Sequence, residues 1–277
     1  QYTVSGQKIQ LSAALIDSLG AGDFTVRVLF NPLGEEYVER TGNEAPAEVT
    51  VKLVIEKKTA AIDAEGVTVS YNGSPLGSLT YTTDSDGAVT AEYKPTGADD
   101  SAYTTEAPKN AGSYTVRFTT AETAIYYAAS TTVTCEILPK EVHIVGTKVQ
   151  STRTYDGTTD AVITNVGTLS ENFDGKNLTI VEGTAAYADK NVGTGKTVSF
   201  SGFALEGSAA GNYTLVAQPA EVKADITPRE ITINGVTVEA TRAYDGTADA
   251  VITNIGTLSE NFDGENLTIV KGTAFYN

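Results

Sequence analysis

The chain has 277 residues, a formal net charge of −16, one cysteine, and no methionine or tryptophan. This acidic balance repels phosphate backbones and anionic membrane surfaces, which argues against nucleic acid as a partner, and a lone Cys135 excludes an internal disulfide, a Cys/His zinc site and a paired redox motif. Because no apolar run approaches the roughly 20 residues that cross a bilayer, we expect no membrane insertion, and Gln1 in first place without any methionine leads us to expect a piece of a longer protein.

Residues 1–57 have the pattern of a partial β module. Alternation of polar and apolar residues predicts strands at 8–11, 23–30 and 49–55. Between the first two, residues 13–19 fit two helical turns that Gly20 or Gly22 would end. We interpret this segment as the later part of a β-sandwich.

Residues 58–139 form the next predicted module. The pattern predicts a strand at 67–71, a turn at Asn72-Gly73, and strands at 113–118 and 131–137. Between the turn and the later strands we predict a polar irregular region, which holds Asp84, Asp86, Asp99 and Asp100.

An internal repeat organises the remainder of the chain. Residues 155–187 return 89 positions later as residues 244–276, with 28 of 33 positions identical. Self-similarity at a fixed period indicates copies of one folding unit. We therefore predict a complete module at residues 140–228, here called the first copy, and the N-terminal half of a second, truncated module at residues 229–277, here called the second copy.

Within the first copy, short strands are predicted at residues 142–145, 161–164, 178–181, 197–200, 213–216 and 224–226. Turn signals such as Asp156-Gly157 and Asp174-Gly175 recur about every ten residues, which is typical of an antiparallel immunoglobulin-like sandwich. The links around Pro139 and Pro228 contain no Gly/Ser tract, so strand should run almost directly into strand. The predicted fold class is all-β, with tandem immunoglobulin-like modules arranged as an elongated rod.

These motifs carry a resemblance to known families. Tyr155-Asp156-Gly157-Thr158, followed by 188–196, 211–215 and 226–228, resembles the YDG repeat of bacterial surface adhesins over residues 140–228. Tyr71-Asn72-Gly73 with residues 110–116 is similar to the MBG family of bacterial immunoglobulin-like repeats, and residues 2–6 with 18–22 resemble the X2 modules of cell-surface and cellulosomal proteins. The resemblance implies an extracellular stalk and no active site.

Several residues invite a functional interpretation beside a structural one. Asp156-Gly157 is first a tight-turn signal, with a ligand loop as the alternative. Tyr213 fits a tyrosine bonded back to a nearby loop, with sugar stacking as the alternative. Asp156, Asp160, Asp174 and Asp189 are the candidates for calcium, although the chain has no Asp-x-Asp-x-Asp-Gly loop.

Other candidates are single residues. His143, the only histidine, lies in a predicted strand without a Gly-x-Ser-x-Gly nucleophile motif, and Cys135 fits a small buried hydrophobe. A Lys–Asn isopeptide crosslink is conceivable, but no spacing marks a pair. We assign no catalytic, cofactor-binding or metal-binding residue and no cofactor.

The sequence thus predicts a spacer or stalk of a bacterial cell-surface or secreted adhesin-like protein, with no enzymatic activity. The expected partners are neighbouring modules of the same chain, while a glycan or host surface ligand would be bound through other domains. The alternative is a carbohydrate-binding accessory role beside a surface glycan-processing enzyme, for which Tyr93, Tyr126 and Tyr127 are the candidate stacking rings.

Overall fold

The computed structural model describes residues 2–5, 8–30 and 47–277, and nearly all of its regular structure is β-strand. The chain divides into two compact units between Leu138 and Pro139. In the described part of the chain, no helix is both long enough and apolar enough to cross a bilayer. The all-β prediction is confirmed.

The described residues of the first unit begin with short antiparallel hairpins and one α-helix. Its elements are β1 (Tyr2–Ser5), β2 (Lys8–Leu11), α1 (Ala13–Leu19), β3 (Gly22–Phe30), β4 (Ala47–Ile55), β5 (Lys58–Thr59), β6 (Ile62–Ala64), β7 (Thr68–Ser70), β8 (Tyr81–Thr83), β9 (Val89–Pro95), β10 (Gly112–Thr120), β11 (Tyr126–Tyr127) and β12 (Ala129–Leu138). The Ser12 hydroxyl caps α1 by accepting from the Leu15 amide at 3.2 Å, and Gly20 ends the helix at φ +68°. The predicted helix and its stop are therefore correct.

The main sheet of this unit has the strand order β7-β12-β10-β9. Alternate residues of β10 and β12 face inward, and Val116, Phe118, Cys135 and Ile137 are buried there. β9 lies inside the region predicted to be irregular, so that prediction is wrong. From Val89 to Lys94 apolar and polar residues alternate strictly, which is itself the signature of a strand, and the backbone pairs with β10 from Pro95 to Val89.

The second unit contains both copies of the repeat. The first copy has β13 (Lys140–Val142), β14 (Ile144–Val145), β15 (Lys148–Val149), β16 (Thr152–Thr154), β17 (Asp160–Ala161), β18 (Ile163–Asn165), β19 (Thr168–Leu169), β20 (Thr179–Val181), β21 (Thr184–Tyr187), β22 (Gly193–Ser201), β23 (Ala204–Glu206), β24 (Tyr213–Leu215) and β25 (Val222–Thr227). The second copy has β26 (Ile233–Val238), β27 (Asp249–Ala250), β28 (Ile252–Leu258) and β29 (Ala274–Phe275). Short 3-10 turns lie at Asp100–Ala102 in the first unit and at Gly175–Asn177, Ala210–Asn212 and Gly264–Asn266 in the second.

A five-stranded sheet of order β16-β25-β22-β21-β17 carries the core of the first copy. Ile144, Tyr187, Val198, Phe200 and Ile226 pack in one buried cluster. The sheets are mixed, because β16 pairs in parallel with β25 and β13 in parallel with β24, as β7 does with β12 in the first unit. A purely antiparallel arrangement is therefore wrong for both units.

Two predicted strands of the first copy are each divided in two. His143 separates β13 from β14, and the exposed Val162 separates β17 from β18. The physical reason is a change of partner, since β13 pairs with β24 but β14 with β19, and β17 pairs with β21 but β18 with β15.

The two links differ. Pro139 alone separates β12 from β13, as predicted, whereas residues 228–232 separate β25 from β26. The counterpart of β13 in the second copy would be residues 229–231, and β13 exists by pairing with β24. Among the described residues the second copy has no such partner, so the strand is absent there.

Candidate interaction site at the junction of the two copies

The Tyr155-Asp156-Gly157 motif begins where β16 ends. The Asp156 carboxylate accepts the amide of Thr158 at 2.9 Å and its hydroxyl at 2.8 Å, and it pairs with Arg153. Burial alone would raise the pKa of Asp156, but these bonds and the guanidinium lower it to about 2. With Gly157 at φ +80°, the predicted tight turn is confirmed.

The Tyr155 side chain of this motif reaches the second copy. Its hydroxyl donates to Asp263 Oδ1 at 2.6 Å, and Lys190 Nζ donates to the same oxygen at 2.8 Å. Tyr155 is held in place because its backbone N–H donates to the Thr227 carbonyl at 2.9 Å, next to the link into the second copy. One carboxylate oxygen of the second copy therefore accepts two hydrogen bonds from side chains of the first.

Asp263 lies in a loop with the same internal structure in both copies, residues 261–264 and 172–175, here called the NFDG loop. Asn261 Nδ2 donates to the Gly264 carbonyl at 2.7 Å, and Asn261 Oδ1 accepts from the Asp263 amide at 3.1 Å. Asn172 makes the corresponding bonds at 3.0 and 2.9 Å. The loop is thus built by its own sequence, and it presents the aspartate in either copy.

An apolar and cationic contact completes the junction. The Arg229 guanidinium lies 4.8 Å from the centre of the Phe262 ring and pairs with Glu260. A methyl group added at Gly157 would lie 3.0 Å from Phe262 Cβ and 3.2 Å from its carbonyl oxygen. Gly157 is therefore required twice, for its backbone conformation and for the close approach of Phe262.

The charged side chains at the junction form ion pairs at the protein surface, and each pair shifts the pKa values of its members. The bond from Lys190 lowers the pKa of Asp263, with Tyr155 contributing in the same direction, and the pKa of Lys190 is raised in return. The bond to Asp263 raises the pKa of Tyr155. Arg229 likewise lowers the pKa of Glu260. Because these groups face solvent, salt will screen their attraction.

These residues line a cleft of about 400 Å³ between the copies. Lys190 pairs with Asp263 across it, and Arg229 pairs with Glu260. A small ligand would have to displace these contacts between the copies. The geometry therefore suits a contact between repeats better than an open ligand pocket.

The predicted role of Tyr213 is supported by its contacts. The side chain is 6% exposed, its hydroxyl donates to Asp174 Oδ2 at 2.8 Å, and it accepts the Phe173 amide at 2.9 Å. Burial raises the pKa of this phenol. A buried ring bonded to the NFDG loop of its own copy offers no platform for a sugar.

The calcium candidates are dispersed. Asp156 and Asp174 are engaged as described, Asp189 pairs with Lys196 and caps the Asn191 amide, and Asp160 lies exposed in β17. In the described ranges, no three His, Cys, Asp or Glu side chains lie close enough together to hold a metal ion. Asp156 and Asp189 each cap a turn and form an ion pair, and Asp174 accepts from the Tyr213 hydroxyl.

The remaining candidates are also placed by the structure. Cys135 is fully buried in β12, as expected of a small hydrophobe, and His143 is exposed between β13 and β14, where its amide donates to Ser170 Oγ. Tyr93 is half-buried in β9. Tyr126 and Tyr127 lie in β11, with Lys58 Nζ 5.7 Å and Lys57 Nζ 5.9 Å from the respective ring centres.

Comparison with known families identifies one domain. Residues 138–221 match the YDG domain, which covers most of the first copy and includes the Tyr155-Asp156-Gly157 motif. No curated protein matches the chain. The YDG part of the resemblance is therefore confirmed.

Sequence analysis missed Asp263, Lys190, Phe262 and Arg229 as junction residues. The four residues of the NFDG loop are identical at 172–175 and 261–264, but so are most positions of the repeat, so their identity did not single them out. Periodicity gave no indication that the loop of one copy meets the Tyr-Asp-Gly turn of the other.

Proposed function

We propose that the chain is a set of structural spacer modules from a bacterial cell-surface or secreted adhesin-like protein. One observation carries the proposal. Every residue of the Tyr155-Asp156-Gly157 motif serves the turn or the contact with the second copy, through the hydroxyl bond to Asp263, the cap on Thr158 and the close approach of Phe262. A motif used in this way joins repeats to one another.

The proposal includes the finer architecture expected from the sequence. Residues 58–139 would be an MBG-like module, residues 1–57 a partial X2-like module, and the whole a rod of immunoglobulin-like sandwiches without enzymatic activity. An acidic, cysteine-poor composition suits an exported bacterial protein that is stabilised by packing alone. Neighbouring modules are its partners, and any glycan or host ligand is bound elsewhere in the protein.

Solution scattering tests the spacer directly. For a compact globule of this length the radius of gyration is about 19 Å, and a rod of tandem modules should exceed that value clearly. The expected distance distribution is skewed toward long distances. A radius of gyration of about 19 Å would contradict the rod arrangement.

The carbohydrate-binding alternative has one observation in its favour, because Tyr127 in β11 is 50% exposed. Against it, the lysine ammonium groups lie near both rings of β11, where they compete for the π-faces that a sugar would use. A glycan array probed with the whole chain separates the two functions. Saturable binding that is lost in a Tyr126→Ala, Tyr127→Ala variant would show that the chain is a binding module and not a spacer.

A further inference from the structure

The first unit and the first copy each end on a strand that lies in the interior of a sheet. In the first unit β12 lies between β7 and β10, and in the first copy β25 lies between β16 and β22. β12 ends at Leu138 and β25 at Thr227, and the next residue in each case is the proline of a link. The strand from which the chain leaves is therefore paired on both of its sides.

One of the two neighbours of each last strand is parallel to it. Thr68, where β7 begins, pairs with Glu136 in β12. Ser70, where β7 ends, pairs with Leu138, where the chain leaves β12. Because the pairing is parallel, the chain enters one strand and leaves the other at opposite ends of the same ladder. β16 runs beside β25 in the same way.

Backbone hydrogen bonds close both ends of these parallel ladders. The Glu136 N–H donates to the Val67 carbonyl at 2.8 Å, and the Tyr71 N–H donates to the Leu138 carbonyl at 2.8 Å. The ladder of β16 and β25 is closed by two corresponding bonds, each of 2.9 Å. The same arrangement has thus formed on two segments of different sequence.

This topology determines how the segments respond to tension. Force applied through the two ends of the chain pulls parallel strands past each other along their axes, so all bonds of the ladder carry the load together. Strands that are pulled from adjacent ends separate one pair at a time instead. The earlier strands β5 and β13 are also held by parallel partners, β11 and β24. Forced unfolding is governed by the unfolding rate, which here requires the whole ladder to break.

We propose that the β7–β12 and β16–β25 ladders are mechanical clamps, which allow residues 58–138 and the first copy to bear tension without unfolding. The inference rests on the proposed spacer function, because a spacer transmits force between whatever is attached to its two ends. It adds to that function that the spacer is a load-bearing tether.

The test stretches the 277-residue chain by its two ends in an atomic force microscope. We expect a force peak for each clamp, followed by a lengthening of the chain. An extended chain spans at most about 3.6 Å per residue, so residues 58–138 release at most about 290 Å and residues 140–227 at most about 320 Å. The measured lengthening identifies which segment has unfolded.

Val69→Pro and Ser70→Pro are a matched pair of variants in β7, and both side chains are exposed. Because the Tyr71 N–H donates to β12, that of Val69 points to the same side and that of Ser70 points away. Proline removes the N–H of the residue that it replaces, so only Val69→Pro breaks a bond of the clamp. We expect the force peak of residues 58–138 to fall or vanish in Val69→Pro and to be retained in Ser70→Pro.

A third variant separates the clamp from overall stability. Leu76 is 8% exposed and lies outside both strands of the ladder, and Leu76→Ala should lower the free energy of unfolding measured in denaturant. Its rupture force should stay close to that of the unmodified chain, because the side chain remains packed until the ladder breaks.

Three results would contradict the clamps. They are a chain that extends without force peaks, equal rupture forces in Val69→Pro and Ser70→Pro, and a rupture force in Leu76→Ala that falls in step with its stability. The last result decides the question even where Val69→Pro does not fold. Because no readout here depends on the radius of gyration, the clamp proposal can fail while the spacer proposal holds, and the reverse.

Discussion

The two copies of the repeat allow one sequence to be compared in two surroundings. Residues 155–187 and 244–276 differ at five of 33 positions, and both copies form the Asp-Gly turn, the NFDG loop and the same internal strand pairs. The two copies differ in how deeply corresponding side chains are buried. Tyr155 is half-buried against the second copy, whereas its counterpart Tyr244 is 97% exposed.

The comparison teaches which parts of the structure are local. Turns and short pairings need residues within one segment, so they form in both copies. The core requires a facing layer, and residues 193–227 supply it to the first copy alone. Apolar burial stabilises each residue more than a local turn does, so the copies should differ most where a core side chain is changed.

The largest difference is expected for a matched leucine pair. Leu178→Ala removes a buried side chain and should cost about 2–5 kcal/mol, whereas Leu267→Ala removes a partly exposed one and should cost less than about 1 kcal/mol. Native-state hydrogen exchange of β22 in the first copy and of β28 in the second would measure the two effects. Equal losses of stability in the two variants would mean that Leu267 is packed in a core of the second copy as Leu178 is in the first.

A smaller difference is expected at the paired turn glycines. Gly157 and Gly246 have φ values of +80° and +78°, so alanine should cost about 1–2 kcal/mol of strain at either site. A methyl group at Gly246 meets no atom within 4 Å, but at Gly157 it meets Phe262. Gly157→Ala should therefore also lower exchange protection in residues 261–264, an effect that Gly246→Ala lacks. If both variants changed the NFDG loop alike, the close packing of Gly157 on Phe262 would not matter.

Prediction from the sequence succeeded where the determinants were local. The helix between Ser12 and Gly20 and the turn at Asp156-Gly157 follow from side chains a few positions apart. It failed where partners are distant in sequence. Nothing near His143 or Val162 indicates that the strand changes partner there. β9 is a different case, because the alternation of apolar and polar residues from Val89 to Lys94 is a local signal that was overlooked within a polar region.

The candidate site shows the same limit more sharply. Asp263 lies 108 positions from Tyr155, and the bond between them depends on how one copy follows the other through Pro228 and Arg229. Composition and spacing identify the turn and the loop as separate elements. The contact between the turn of the first copy and the loop of the second depends on how the two folded copies pack against each other.

The smallest effect concerns the junction bonds and their dependence on pH. The pKa of Asp263 is lowered below its ordinary value of 3.8 in the folded state, so its contribution is present above that value and is lost as the pH falls through the lowered pKa. Tyr155→Phe and Asp263→Asn should each lower the hydrogen-exchange protection of residues 261–264 at neutral pH, while Tyr244→Phe, at an exposed ring, should leave it unchanged.

The pH dependence is a second test of the same bonds. On acidification from pH 5 toward pH 3 and below, the exchange rate in this loop, corrected for its intrinsic pH dependence, should rise in the unmodified chain and stay constant in Asp263→Asn. Acid loosening that persists in Asp263→Asn would assign the effect to other carboxylates, of which Glu260 beside Arg229 is the nearest candidate.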